Sequence, residues 1–201
     1  MESKCKEPVE RRCFVRVDDN VVLKYRKASS LELQAGKENL PASARSFTIK
    51  AQFAAIDQKF RPVRSILEQH AGELASYLKA IDKKLDLLAD MAFEMDHDLS
   101  KLPTQKVSLS AGGTSFLAQK PLELGTLLEL WLLLLPSNTG IITYATVVYC
   151  KRCNDGDDSR YPYKIGVEFK NIREEDADLI TCHVLRKEAD DRRKRSKMPH
   201  K

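Results

Sequence analysis

The feature that most constrains this chain is a change of apolar period partway along it. From Ser43 to Leu102 the apolar residues step by threes and fours: Ile49, Phe53, Ile56, Phe60, Val63 and Leu67, then Leu74, Leu78, Ile81, Leu85, Leu88, Ala92, Met95 and Leu99. That spacing is a heptad seam on one face of a helix. On either side the period falls to two, the mark of half-buried strands. A helical block is therefore set inside a β domain. His70 fills the seam position between Leu67 and Leu74, and two steps of four in succession shift the register there, at Gly72. Pro62 should kink or restart the helix. The block is either one bent helix of about 58 residues, roughly 85 Å long, or a hairpin of Ala44–Gln69 and Glu73–Ser100. The matched lengths favour the hairpin. A small β domain cannot cover so long a seam, so self-association is expected. The alternative is that the helices complete the core of a single chain.

With 201 residues there is room for one sizeable core plus an appended element. The net charge of +5 owes much to the tail Arg192–Lys197 and does not by itself point to nucleic acid. The run Leu127–Leu135 is about half the length needed to span a bilayer and holds Glu129, so no membrane insertion is expected. The polar start MESKCKEPVERR is unlike a secretory signal. Five cysteines, an odd number, then fit free thiols in a reducing cytoplasm.

Strands are expected at Val21–Lys27, then Lys106–Leu109, Thr114–Ala118, Thr126–Leu135, Gly140–Cys150 and Tyr163–Asn171. Ala28–Ala42 reads as a linker. Pro136–Gly140 and the Asp-Gly signal in Asn154–Ser159 read as loops. Six short strands joined mostly by hairpins suit a small antiparallel barrel. Glu174–Arg193 reads as a closing helix, acidic at its start and basic at its end; Leu179, Ile180, Val184 and Cys182 would face the barrel. The basic tail should fray into solvent.

Two short stretches could carry chemistry. In Val107–Phe116, alternating Ser108 and Ser110 lead into Gly112-Gly113, a turn that permits positive φ and close approach and can aim hydroxyls at a ligand. Arg11, Arg12 and Arg16 precede the first strand, and Phe14 and Val15 between them could anchor that segment to a core. Taken alone, Arg12-x-x-x-Arg16 is more often a solvated basic turn.

The combination resembles the PilZ domain, a bacterial receptor for cyclic di-GMP. The likeness rests on Arg12 and Arg16, on Ser108, Ser110 and Gly113, on the last strand with IGVEF (Ile165–Phe169), and on the terminal helix. It covers about residues 9–30 and 104–190. The insertion 43–102 resembles the less common members that carry long extra helices after the first strand and assemble as tetramers. The resemblance implies an α+β fold: a six-stranded antiparallel barrel, a two-helix coiled-coil-type insertion and a C-terminal helix, with a flexible basic tail at 191–201. It implies that Arg12 and Arg16, helped by Arg11, grip phosphates and guanine Hoogsteen edges, as forked guanidiniums can. Ser110 and Gly113 match the second family motif. Ser108 departs from it, standing where the family has Asp or Asn. A serine accepts fewer hydrogen bonds than a carboxylate and carries no charge, so weakened binding is expected.

Enzymatic motifs are lacking: the chain has no phosphate-binding P-loop, no H-E-x-x-H and no nucleophile elbow. Cys150-x-x-Cys153 has no second pair to complete a metal site, so no metal or cofactor is expected. The expected protein is a cytoplasmic cyclic di-GMP receptor or adaptor, not an enzyme. Its partners would be a second messenger, copies of itself (a tetramer before a dimer) and an unidentified effector protein. Its seam would run through Phe53, Ile56, Phe60, Val63, Leu67, Leu74, Leu78, Ile81, Leu85 and Leu88. The rival expectation is an oligomeric scaffold on the same fold that binds no cyclic di-GMP. An oligonucleotide-binding barrel is disfavoured, because the strands lack a basic-aromatic platform.

Overall fold

The computed structural model describes residues 14–35, 42–95, 103–153 and 161–196. Its centre is a closed barrel of six antiparallel strands. In chain order these are β1 (Val17–Lys27), β2 (Thr104–Ser110), β3 (Gly113–Ala118), β4 (Leu127–Leu134), β5 (Thr139–Arg152) and β6 (Tyr163–Lys170). Around the wall they run β1-β2-β3-β6-β5-β4, and β4 closes on β1. The step from β3 to β4 crosses the barrel, so the connections are less uniformly hairpins than the strand spacing suggests.

Inward-facing residues fill the barrel with branched aliphatics: Val21, Leu109, Leu128, Leu130, Leu132, Ile141 and Ile165 are essentially fully buried. The α-helix α4 (Glu174–Ser196; α1–α3 are given below) adds Ile180 and Val184 to this core. The helix outruns its expected end at Arg193. Arg192 pairs with Glu188 one turn back (2.6 Å) and Arg193 with Asp190 (3.8 Å), and its basic last turn suits the negative end of the helix dipole. The basic cluster up to Arg195 is thus helical, contrary to the expected fraying from Arg192.

β1 also outruns its expectation. It begins at Val17, four residues earlier than Val21, because Val17–Val22 pair in register with Leu109–Thr104 of β2. The expected linker contains a helix, α1 (Ser30–Ala35). Ser29 and Glu32 form its capping box: the Ser29 amide donates to Glu32 Oε2 (2.7 Å) and the Glu32 amide to Ser29 Oγ (3.3 Å). The Ser29 amide, with Arg26 and the Ser29 hydroxyl, holds the Glu32 carboxyl down to about 2.

The helical block is a hairpin, α2 (Ala42–His70) and α3 (Gly72–Met95), broken only at Ala71. α2 runs through Pro62 without restarting. Ion pairs tie the helices antiparallel: Lys50–Asp90 (2.5 Å), Arg64–Asp82 (2.6 Å) and Glu68–Lys79 (2.8 Å). The root of α2 docks on the barrel, where Ala44 and Phe47 join Val22, Leu133 and Ile142 in a second cluster. Phe47 packs on Trp131 at 5.2 Å between ring centroids, and Trp131 donates to the buried Glu129, which also binds Arg26. The other buried apolar positions of the hairpin are small: Ala51, Ala75 and Ala89. Of the hairpin, the root of α2 is the part that joins a core cluster with the barrel.

Candidate functional site

β2 and β3 meet at Ala111-Gly112, and the register gives each wall position its neighbours. Ser108 faces Asp18 on β1 and Ser115 on β3; Ser110 faces Gly113; Ser115 faces Gly166 on β6. Side chains alternate across a strand. Val17 and Leu109 point into the core, so Asp18 and Ser108 project outward. The outer wall thus carries a polar row, Asp18, Ser108 and Ser115. Beyond it the Tyr149 ring lies over Gly166, where a Cβ would fall 2.0 Å from a ring carbon.

The glycines act through closeness rather than an unusual φ; among the described glycines only Gly125 has positive φ. A Cβ on Gly113 would sit 2.2 Å from the Val167 carbonyl oxygen, and one on Gly112 would sit 2.9 Å from the Phe14 ring. Phe14 does not anchor in the core as expected. It is half exposed, as is Val15, and its ring covers Gly112 from outside. That contact carries the lead-in segment to the β2–β3 turn.

Of the expected ligand residues, the structure brings together Arg16, Ser108, Ser110 and Gly113. Arg16 immediately precedes Val17, whose partner is Leu109, so it stands level with the Ser110 end of β2. It is exposed. Arg11 and Arg12 lie outside the described residues. Ser110 is buried, and its hydroxyl donates to the Gly113 carbonyl (3.0 Å), closing the turn rather than facing outward. A cleft of about 340 Å³ opens beside Arg16, lined also by Val17, Asp18, Glu188, Asp191, Arg192 and Arg195. A larger cleft of about 620 Å³, near Leu23, Thr104 and Ala118, lies at the opposite end of β1–β3.

The sequence reading missed the clamp beneath this site. Asp19 is buried, with His183 Nε2 2.6 Å from Oδ2 and Lys187 Nζ donating to Oδ1 at 2.7 Å. Burial pushes the Asp19 carboxyl up. The hydrogen bonds from Lys187, His183 and the Asn20 amide together outweigh burial and hold it below the ordinary carboxylate value. The bond to Asp19 raises the Lys187 ammonium. α4 is thereby fastened to the start of β1, and the cleft lies between them. Only contact across 164 residues reveals this pairing. In the sequence, Asp19 is one more polar residue before an apolar run.

Among the described residues no group of three His, Cys, Asp or Glu is arranged to hold a metal; Cys150 and Cys153 are free thiols at the end of β5. No described helix is long and apolar enough to cross a membrane.

A closed six-stranded barrel with a C-terminal helix over its core and a serine-glycine turn on its wall defines the class. Residues 89–186 match the family model of the PilZ domain. The matched span begins within α3, so β1 lies outside it, separated by the helical insertion. One similar solved structure is a pathogenic protein from Xanthomonas campestris, described as a tetrameric PilZ domain self-assembled through an unusual helical bundle. It is 14% identical, with a TM-score of 0.55, over 89% of this chain and 90% of that one. The shared fold therefore includes the insertion. No curated protein matches the sequence.

Proposed function

We propose that this protein is a cytoplasmic, non-enzymatic receptor for cyclic di-GMP that self-associates through α2 and α3 and acts on a protein effector. The observation that carries the reading is the position of Arg16, level with the Ser110 end of β2 and the Gly112-Gly113 turn, where Phe14 covers Gly112. A ligand with two phosphates and two guanines presents acceptors to forked guanidiniums and flat faces to their planes. Binding would clamp the arginine lead-in across the wall, and the clamped lead-in would be the output. Self-association is supported by the hairpin seam. Ile56, Phe60, Val63, Leu74, Leu78, Leu85 and Leu88 are exposed in the single chain, while Phe53, Leu67 and Ile81 are half-buried. The tetramer reported for the Xanthomonas protein makes four copies the favoured number.

Calorimetric titration with cyclic di-GMP tests the receptor reading. Heat of binding is expected for the native chain and its loss in Arg12→Ala/Arg16→Ala. No heat at high ligand concentration ends the receptor reading. One observation favours the second reading, a ligand-free scaffold: the Ser110 hydroxyl is already committed to Gly113.

A further inference from the structure

We infer that Asp18 supplies the carboxylate that Ser108 lacks, and that Arg16 and Asp18 together read one guanine; this rests on the receptor reading above. In the barrel wall Asp18 is the direct cross-strand partner of Ser108. Side chains directly opposite in an antiparallel pair have Cβ atoms about 5 Å apart, so a carboxylate on residue 18 serves the space that one on residue 108 would serve. Both project from the outer face. Asp18 is exposed, and among the described residues its carboxylate has no hydrogen-bond or ion-pair partner. Arg16 is free in the same sense, and the two line one cleft.

The acids of α4 in that cleft differ from Asp18. Glu188 is already paired with Arg192, and Asp191 sits on the helix, away from the segment that runs from Arg16 into β1. Next to Asp18, Asp19 turns inward to His183 and Lys187. That clamp fixes the backbone from which Asp18 points out.

The spacing matches the base. Residues two apart on a strand lie on one face, about 6.5–7 Å apart along it. Guanine offers acceptors O6 and N7 on one edge and donors N1–H and N2–H₂ on the adjoining one. A guanidinium forks onto the first pair and a carboxylate accepts from the second. Adenine fits neither: it has an amino group in place of O6, and its N1 is a lone pair facing the carboxylate. Asp18 therefore sets base identity as well as affinity.

The test is a titration of the full chain with cyclic di-GMP and cyclic di-AMP, using the native protein, Asp18→Asn, Ser108→Asp and the double variant. Asp18→Asn is expected to weaken cyclic di-GMP binding about ten-fold or more and to narrow the preference over cyclic di-AMP. Ser108→Asp in the Asp18→Asn background is expected to restore both. If Arg16→Ala abolishes binding while Asp18→Asn leaves affinity and preference unchanged, this inference is overturned and the receptor reading survives. Equal weakening toward both nucleotides also overturns it. A native chain that binds neither nucleotide overturns both readings together. Asp18 is exposed, so folding is unaffected, and an unchanged circular dichroism spectrum confirms that the variants report on binding.

Discussion

At the scale of single residues, the two neighbouring aspartates of β1 divide their work by direction. Asp18 points to solvent and the cleft; Asp19 points inward and binds α4. Replacing the Asp19 carboxylate by an amide leaves the partly buried His183 and Lys187 one uncharged acceptor oxygen between them. Asp19→Asn should lower stability by about 1–3 kcal/mol, read as a lower midpoint in urea. The clamp also has a pH signature. The Asp19 carboxyl is held below its ordinary value of 3.8, so its contribution is whole above about pH 4 and is lost as pH falls through the lower folded-state value. Lys187 is raised above 10.5, so its share is present below that pH and fades as pH rises past the folded-state value. The stability difference between native and Asp19→Asn should therefore be flat near neutrality and shrink at the acid and alkaline limits. A difference that kept growing below pH 3 would contradict the clamp. None of this was legible in the sequence. Strand alternation says which residues share a face, but the partner of an inward carboxylate depends on a helix more than 160 residues away. The glycine turn was legible as a turn; that it serves close packing by Phe14 and the Val167 carbonyl, and not positive φ, was not.

At the scale of elements, the helical insertion joins the barrel at one tight contact. Gly140 on β5 lies under the backbone of α2: a Cβ there would sit 2.0 Å from the Phe47 carbonyl oxygen. Backbone cannot yield as a flexible side chain does. Gly140→Ala should push the root of α2 away from the wall and loosen the cluster around Phe47, Val22 and Ile142. The chain has one tryptophan, Trp131, and it packs on Phe47, so its emission should move to the red. An unshifted emission would show that α2 is held elsewhere. Here the sequence served well. The change of apolar period located both helices, with the expected end at Ser100 lying outside the described residues, and the alternation found all six strands. The misjudged ends have physical causes. β1 starts early because ladder pairing with β2 overrides the poor strand propensity of Asp18, Asp19 and Asn20. Pro62 does not end α2, which runs on to His70.

At the scale of the whole molecule, the hairpin leaves an unusually apolar surface. Ile56, Phe60, Val63, Ile66, Leu74, Leu85, Leu87, Leu88 and Met91 are exposed together on two packed helices. Exposed patches of this kind mark interaction sites. Light scattering at micromolar concentration should report a multimer, and Leu85→Lys/Leu88→Lys should reduce it to a smaller species with its helix content kept. A native monomer under those conditions would remove the self-association reading. The seam spacing had made this legible from the sequence, because apolar steps of three and four over two long segments exceed what a small barrel can cover.

The insertion has one more consequence, which concerns the order in which the chain can assemble. β1 and β2 are adjacent in the wall, yet α1, α2 and α3 all lie between them in the sequence. As open coil, that connection would burden barrel closure with loop entropy that grows with its length. The hairpin forms from local contacts, and Lys50–Asp90 ties its two arms near the root. Once folded, it returns the chain close to where it left. The helices act as an internal splint, so β1 can find β2 as if the loop between them were short.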